Sequence, residues 1–315
     1  MHAVPSIPSR LLALAPEVAQ ALADARPVVA LESTIVTHGM PWPANFETAR
    51  AVEATVRAHG AVPATIAVQD GKIRVGLSDP ELEALARNSG ARKLSRRDLA
   101  AALSLGWRGG TTVAATMLCA AWAGVHVFAT GGIGGVHRGG HVTMDVSADL
   151  TELARTPVAV VSAGCKAILD IPRTLEVLET FGVPVVGFGC DEVPAFYTRD
   201  SGCPAPLRLD TAEQVAALLD VQWSLGLRTG VLVTNPIPEA HAMDRGEIDG
   251  AIAAALAEAE TRGVTGKAVT PFLLARVAAL TGERSLHSNI ALVKDNARVA
   301  AGIAAAHAAL VRARA

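Results

Sequence analysis

Short apolar segments recur along the chain and alternate with longer segments of helical periodicity. Runs of Val, Leu, Ile and Ala that end at Gly, Pro or polar residues are typical of buried strands. Such runs lie at residues 28–31, 65–68, 125–130, 158–162, 183–188 and 231–234. Because buried strands that alternate with helices form parallel crossover units, the pattern predicts a three-layer α/β/α fold with a largely parallel sheet.

Local patterns add detail to this fold. Gln69-Asp70-Gly71-Lys72 joins two apolar segments and predicts a hairpin, which would place an antiparallel element at an edge. Residues 196–208 are the least regular part and indicate a lid or an excursion loop. No repeat or linker divides the chain. We therefore expect one domain over residues 1–315, with residues 1–26 as an N-terminal helical extension and helices from Gly246 onward.

One uncharged stretch is long enough to resemble a membrane span. Residues 109–136 contain no Asp, Glu, Lys or Arg. Thr111 and Thr112 begin the stretch, Gly124 divides it, and its second part is β-branched and then rich in glycine. This pattern favours a buried helix followed by a buried strand over a spanning helix.

Composition and charge narrow the class of protein. The 315 residues are 50% hydrophobic and 18% charged, and the formal net charge is −2. Nearly balanced charge without a basic stripe argues against a nucleic-acid partner. The four cysteines show no C-x-x-C spacing, which argues against a zinc site or disulfide framework and favours the reducing cytoplasm. No secretion signal is visible.

Polar side chains follow several of the predicted strands directly. Glu32 follows the first strand, and Lys166 follows the strand at 158–162 after a short turn. Because ligands of open parallel sheets bind at the carboxyl ends of strands, both are candidate catalytic residues. Partial burial would make Glu32 a proton donor at neutral pH and would help Lys166 to form an imine. The alternatives are a carboxylate that caps a helix and a solvated lysine.

A glycine-rich segment follows the strand at 125–130. It runs from Gly131 to Gly140, includes His137 and Arg138, and continues through Asp145 to Asp149. Glycines allow close approach of the backbone to a ligand and positive φ angles, the two basic side chains favour an anion, and Asp145 could hold a hard cation. The segment thus predicts an anion site, with a mobile surface turn as the alternative.

Two further segments offer weaker candidates. Lys93 belongs to the basic cluster 92–97, which by itself is more typical of a solvated charge run. Thr111 and Thr112 follow two glycines at a predicted helix start, where they would either bind phosphate or cap the helix.

Nine motifs follow one another along the chain: Glu32-Ser33-Thr34-Ile35, Lys93-Leu94-Ser95-Arg96-Arg97-Asp98-Leu99, Gly110-Thr111-Thr112-Val113, Gly131-Gly132-Ile133-Gly134-Gly135-Val136-His137-Arg138-Gly139, Ser147-Ala148-Asp149-Leu150, Gly164-Cys165-Lys166-Ala167, Asn235-Pro236-Ile237-Pro238-Glu239, Thr270-Pro271-Phe272-Leu273 and Ser288-Asn289-Ile290. Taken in order, these motifs resemble the pseudouridine-5'-phosphate glycosidase family, also called indigoidine-synthase-A-like, over almost the whole chain.

The resemblance implies reversible cleavage of pseudouridine 5'-phosphate to uracil and ribose 5-phosphate, with a divalent metal such as Mn²⁺, in a homotrimer. Glu32 matches the family's proton donor, Lys166 its imine-forming nucleophile and Asp145 its metal ligand. The positions that match substrate-binding residues are Lys93, Thr112, Val113, His137, Ser147, Ala148, Asp149 and Asn289. Cys165 stands before the lysine where the family usually has alanine, which leaves sensitivity to thiol oxidation open.

Two other functions stay open on the residues alone. A ribokinase-like phosphosugar kinase also uses a glycine-rich connection, but the sequence has no Gly-x-Gly-Asp turn. A non-catalytic sugar-phosphate-binding protein would keep the pocket without the chemistry, and the presence of both Glu32 and Lys166 argues against it.

Overall fold

Eleven strands form one sheet in the computed structural model, which describes residues 7–264 and 266–314. A further pair of two-residue strands, Val136–His137 and Leu169–Asp170, stands apart from this sheet. The strands are β1 (Leu12–Leu14), β2 (Val28–Leu31), β3 (Val62–Gln69), β4 (Lys72–Val75), β5 (Arg92–Leu94), β6 (Gly109–Thr111), β7 (Val127–Ala129), β8 (Val136–His137), β9 (Ala159–Ser162), β10 (Leu169–Asp170), β11 (Val185–Phe188), β12 (Leu207–Leu209) and β13 (Val231–Thr234).

Helices flank the sheet and connect its strands. They are α1 (Pro16–Ala23), α2 (Ala44–Ala58), α3 (Asp79–Arg87), α4 (Leu99–Ser104), α5 (Val113–Ala123), α6 (Gly140–Thr143), α7 (Ala148–Leu153), α8 (Ile171–Thr180), α9 (Ala212–Ser224), α10 (Arg245–Thr261), α11 (Val269–Leu280) and α12 (Arg284–Arg314). A π-helical segment, Ile35–Gly39, follows β2.

The sheet has the strand order β1-β4-β3-β2-β7-β9-β13-β11-β12, and β6 joins β3 to β5. All pairs in it are parallel except those of β3 with β4 and β6. Every residue of β2, β9 and β13 is buried, as expected for strands covered on both faces. The predicted three-layer α/β/α fold with a largely parallel sheet is confirmed.

The six predicted strands and the hairpin at residues 69–72 are present. The strands that the pattern missed have two or three residues each, too few to show a periodicity. One of them, β6, begins with Gly109 and Gly110, which have low strand propensity, so its pairing with β3 and β5 is a product of tertiary packing.

The N-terminal segment differs from the prediction of a purely helical extension. It contains α1, but β1 precedes this helix and pairs in parallel with β4. Leu12, Ala13 and Leu14 are only partly buried there, because β1 lies at the edge of the sheet. Main-chain pairing with β4 therefore decides the structure of a segment whose composition suits either element.

The irregular segment 196–208 is an excursion loop whose first residues are buried and hydrogen-bonded. Phe196 and Tyr197 are each 2% exposed, and Phe196 N donates to Ala163 O at 3.0 Å. The uncharged stretch forms β6, α5 and β7 as expected. Within the described part of the chain, no helix is both long and apolar enough to cross a membrane.

Candidate active site

The polar residues that follow the central strands meet at one edge of the sheet. β2, β7, β9 and β13 are consecutive parallel neighbours, with Leu31 opposite Ala129, Ala129 opposite Val161 and Val161 opposite Val233. Their carboxyl ends are therefore aligned. This register brings Glu32, the glycine-rich segment, Lys166 and Asn235 to the same edge of the sheet, which we refer to as the cleft, as the sequence predicted for ligand-binding residues.

The loops after β7 and β9 are joined by main-chain hydrogen bonds. Ala163 N donates to Gly131 O at 2.9 Å, Ile133 N to Gly164 O at 3.1 Å, and Lys166 N to Ile133 O at 3.0 Å. The Lys166 Nζ, on a partly buried side chain, donates to Gly132 O at 2.9 Å. The glycine-rich loop thus fixes both the backbone and the amine of the candidate nucleophile.

Asp149 connects this loop to the beginning of α5. Its Oδ2 accepts from Gly134 N at 2.8 Å and its Oδ1 from Ala114 N at 2.9 Å, and the residue is 7% exposed. A Cβ on Gly134 would lie 2.2 Å from the Ser147 Oγ and 2.8 Å from the Asp149 Oδ2. Close approach therefore requires glycine at position 134.

Backbone conformation does not require the glycines at 131–135, because none of them has a positive φ angle. The expectation of positive φ holds in this segment only farther along, at Gly139, where φ is 77°.

The surroundings of Glu32 change the acidity of its carboxyl group. Burial raises the pKa of its carboxyl above the ordinary value, and the nearby Asp149 carboxylate acts in the same direction. The positive charges of Lys166 and Lys93 and a hydrogen bond from the Thr130 hydroxyl oppose this increase in pKa. A carboxyl group with a raised pKa can hold a proton near neutral pH, as a proton donor must.

Lys93 and Thr112 lie on the side of the cleft formed by β5 and α5. Lys93 pairs with Gly110 in the β5–β6 ladder, and its charge acts on Glu32, His38 and His137. Thr112 is the N-cap of α5, where its Oγ1 accepts from Ala115 N at 3.4 Å.

Both possible roles of the threonine pair were left open by the sequence, and the structure favours a structural one. The Thr111 hydroxyl is buried and donates to Ile66 O at 2.7 Å. Val113, the next candidate, is 2% exposed, so its side chain is packed in the protein interior.

His137 and Asp145 lie on the two arms of a small hairpin in the glycine-rich segment. His137 N donates to Asp145 O at 3.0 Å, and the His137 Nδ1 lies 4.0 Å from the Asp145 Oδ2. Burial, followed by the repulsion of Lys166 and Lys93, lowers the pKa of His137, whereas Asp145 raises it. The imidazole is therefore neutral at neutral pH and can accept or donate a hydrogen bond.

The side chains around Asp145 determine what kind of metal site this residue can form. No group of three or more His, Cys, Asp or Glu side chains in the described residues is arranged to hold a metal. The Asp145 side chain is 47% exposed. A single accessible carboxylate fits a hard cation that keeps most of its water ligands and does not fit a closed protein cage.

Three more sequence candidates surround the cleft. Ser147 is the N-cap of α7, and its Oγ accepts from Asp149 N at 3.2 Å. Ala148 is exposed, so only its main chain is a candidate for ligand contact. On α12, the Asn289 Oδ1 would lie 3.2 Å from a Cβ built on Gly131.

The thiol beside the nucleophile is shielded. Cys165 is 3% exposed, and burial raises the pKa of its thiol to about 12. Because the reactive form of cysteine is the thiolate, this environment makes oxidation at Cys165 unfavourable.

Sequence reasoning gave no role to Asn296, which is fully buried on α12. Its Nδ2 donates to Thr130 O at 2.8 Å, and its Oδ1 accepts from Asn235 Nδ2 at 3.0 Å. The available signal was an amide side chain between Leu292, Val293 and Ala300 on the apolar face of a helix. Polar residues at such positions need a buried partner.

The chain is similar to many known proteins over most of its length. The model of the family described as indigoidine synthase A like protein matches residues 17–306. Pseudouridine-5'-phosphate glycosidase of Methylobacterium nodulans is 62% identical over 95% of this chain and 89% of its own length. The protein of the same name from Paracoccus denitrificans is 61% identical over 95% of this chain and 99% of its own length.

Two solved structures have the same fold. One is the prealnumycin C-glycosynthase AlnA in complex with ribulose 5-phosphate, with a TM-score of 0.90, 42% identity and coverage of 98% of this chain and 100% of its own. The other is an indigoidine synthase A-like protein from Thermotoga maritima, with a TM-score of 0.85, 36% identity and coverage of 94% of this chain and 96% of its own.

Proposed function

Since the chain belongs to the indigoidine synthase A-like family, we propose that it is an enzyme that cleaves the C-glycosidic bond of pseudouridine 5'-phosphate to give uracil and ribose 5-phosphate, reversibly. Relatives named for this activity are about 60% identical over about 95% of the chain. The observation that carries the proposal is that the Glu32 carboxyl and the Lys166 amine follow the aligned ends of β2 and β9 and interact electrostatically.

The bond to be broken explains why these two residue types are needed. The sugar C1' is joined to a carbon of the base, which cannot leave with the ease of an oxygen leaving group. The two-carboxylate route of ordinary glycosidases is therefore poorly suited. An amine that binds C1' covalently provides a place for the electrons that the reaction must move.

The first step opens the sugar ring. Glu32 gives its proton to the ring oxygen, and the C1'–O bond breaks with its electron pair on that oxygen. The Lys166 Nζ, as the free amine, then bonds to C1', and the Glu32 carboxylate takes the extra proton that this bond leaves on the nitrogen. The hydrogen bond from Nζ to Gly132 O holds the amine beside the glycine-rich loop. A fixed amine needs less reorientation to reach the geometry of bond formation.

The second step releases the base. The nitrogen lone pair forms a C1'=N double bond as the C1'–C5 bond breaks, and the electron pair left on C5 of uracil takes up the proton that Glu32 now carries. Water then adds to the iminium carbon and the C–N bond breaks, which frees ribose 5-phosphate as its aldehyde, restores Lys166 and returns one proton to Glu32. Atoms and charges balance with one water consumed.

The phosphate and a divalent cation occupy the rim in this proposal. Asp145 would hold Mn²⁺ through one carboxylate, and the ion would neutralise phosphate charge when bound. In this proposal, Lys93, His137, Ser147 and the main chain at 148 would contact the substrate phosphate and sugar. Asn289, Thr112 and Val113 would supply further contacts. Because both carboxylate oxygens of Asp149 accept main-chain hydrogen bonds, we assign Asp149 the task of holding the loop around the substrate.

The assembly and location follow as parts of the same proposal. We propose a homotrimer, as the family resemblance implies, and a location in the cytoplasm. Val221, Leu225 and Leu227 near the end of α9 are 56%, 71% and 54% exposed, and such apolar side chains favour a protein partner. All four cysteines are free thiols, which suits a reducing compartment. Light scattering of the purified protein measures the subunit number.

Incubation of the purified protein with pseudouridine 5'-phosphate and Mn²⁺ tests the function, with free uracil measured by chromatography. We expect uracil from this substrate, and its re-incorporation when uracil and ribose 5-phosphate are supplied. Lys166→Ala is the matched control and should do neither. Absence of both reactions in the wild type would overturn the proposal, and ATP-dependent phosphorylation or tight binding without turnover would favour the kinase or the sensor.

A further inference from the structure

Thr130 occupies a fixed position between the sheet and the candidate proton donor. It directly follows β7 and is 1% exposed. Its N–H donates to Val161 O at 3.0 Å, and its carbonyl accepts from Asn296 Nδ2 at 2.8 Å. Its hydroxyl donates to the Glu32 Oε1. Both main-chain polar groups of Thr130 are thus hydrogen-bonded, so the position of its Cα and Cβ is fixed.

Asn296 is itself held in one orientation. Its Nδ2 reaches Gly131 O at 3.3 Å in addition to Thr130 O, and its Oδ1 accepts from the Asn235 amide at 3.0 Å. Asn235 also donates to the Asp295 Oδ2 at 2.8 Å. Because donors and acceptors are both satisfied, a flipped Asn296 amide would lose bonds inside a buried site.

We propose that Thr130 and Asn296 are positioning residues for the proton transfer: Asn296 fixes the backbone of Thr130, and the Thr130 hydroxyl holds the Glu32 carboxyl by its Oε1. This inference rests on the proposed function and adds two residues to it. With Oε1 engaged as an acceptor, the transferable proton belongs on Oε2, so the arrangement selects which oxygen faces the substrate. Proton transfer depends steeply on such alignment.

The charged surroundings of Glu32 give the direction of a measurable effect. Burial and Asp149 raise the pKa of Glu32, whereas Lys166, Lys93 and the Thr130 hydroxyl lower it. A donor to a carboxylate stabilises the charged form, so its removal raises the pKa further. Activity that needs protonated Glu32 is lost as pH rises through this pKa. Without the hydroxyl, this alkaline limb should therefore move to higher pH.

The decisive variant is Thr130→Val, which keeps the shape and removes the donor. We expect kcat for uracil release near pH 7 to fall about 10- to 100-fold, since small misplacement of a reacting group has effects of this order. KM should stay within about threefold and the alkaline limb should move to higher pH, because the donor that lowers the pKa of Glu32 is gone. Thr130→Ser, which restores the hydroxyl, should recover most of the rate.

Thr156→Val is the matched control. The Thr156 hydroxyl is also buried and donates to a buried carboxylate, that of Glu152, outside the cleft. This variant should lose a similar amount of thermal stability and leave the pH profile of the reaction unchanged. Thr130→Ala provides the same test if Thr130→Val does not fold.

Asn296→Ala tests the second half of the inference. If Asn296 acts through Thr130, the double variant Thr130→Val/Asn296→Ala should be hardly slower than Thr130→Val alone. If the two residues act independently, the rate losses of the two single variants should multiply. Multiplication of the two effects would overturn the role of Asn296. A Thr130→Val enzyme with unchanged kcat and pH limb, or a Thr130→Ser enzyme equally impaired, would overturn the role of Thr130. A wild type that neither releases nor incorporates uracil would instead overturn the proposed function.

Discussion

Replacement of Asp149 by Asn should destabilise the protein strongly, although it changes only one atom. In the wild type, both carboxylate oxygens accept buried main-chain N–H groups, from Ala114 and Gly134. Asn keeps one acceptor and turns an NH₂ group toward the other donor. One N–H then lacks a partner, and the remaining bond loses its charged acceptor.

The expected size follows from these two bonds. A hydrogen bond to a charged group contributes about 1.5–3 kcal/mol, and an orphaned buried donor carries a penalty of about 1–3 kcal/mol. We therefore expect a loss of about 3 kcal/mol in the free energy of unfolding. At about 2 °C per kcal/mol for a chain of this size, the melting temperature should fall by about 6 °C.

The assay is thermal unfolding followed by circular dichroism or calorimetry, in chelator so that metal binding does not contribute. Asp145→Asn is the matched control because the Asp145 side chain is 47% exposed, and its effect should stay within about 0.5 kcal/mol. A melting temperature of Asp149→Asn within about 2 °C of the wild type would refute the reasoning. The two amides would then be satisfied by other means, and the link between the loop and α5 would not depend on the carboxylate.

Other predictions concern the chemistry. Glu32→Gln should lower kcat by at least about 100-fold with little change in KM, because it keeps the shape and removes the transferable proton; a rate within a few-fold of wild type would make Glu32 structural. Borohydride added with ribose 5-phosphate should attach the sugar to Lys166, as peptide mass spectrometry can show, and an adduct only on Lys93 would reassign the nucleophile. Chelator should abolish activity and Mn²⁺ should restore it in the wild type but not in Asp145→Ala; full activity of this variant in chelator would remove the metal from the proposal.

The layers of the fold could be predicted from the sequence because buried parallel strands leave a strong apolar signal, as at Val28–Leu31 and Val231–Thr234. The very short strands could not, since pairing partners distant in sequence determine them. β6, with its two glycines, is the clearest case. Its pairing places Lys93 opposite Gly110, a relation that no local pattern contains.

For the candidate site, too, only some of the residues could be predicted from the sequence. Glu32 and Lys166 could be proposed as candidates from the sequence because strand ends mark the ligand edge of a parallel sheet. Contact of Asp149 with substrate stays a prediction, and the sequence did not indicate that its carboxylate accepts from two main-chain donors of different segments. Asn296 lies 166 positions from the Thr130 carbonyl that it binds. Such a contact depends on how α12 crosses the sheet, which only the folded chain determines.

The position of α12 also sets an order of events during protein synthesis. Residues 28–166 contain both proposed catalytic groups and leave the ribosome well before residues 284–314, the helix that packs on β2, β7 and β9 and brings Asn289 and Asn296 to the cleft. Until then, the nascent chain exposes one apolar face of its central strands, a surface prone to aggregation. Translation that stops before residue 284 therefore yields an inactive product that chaperones and proteases can recognise by this uncovered face.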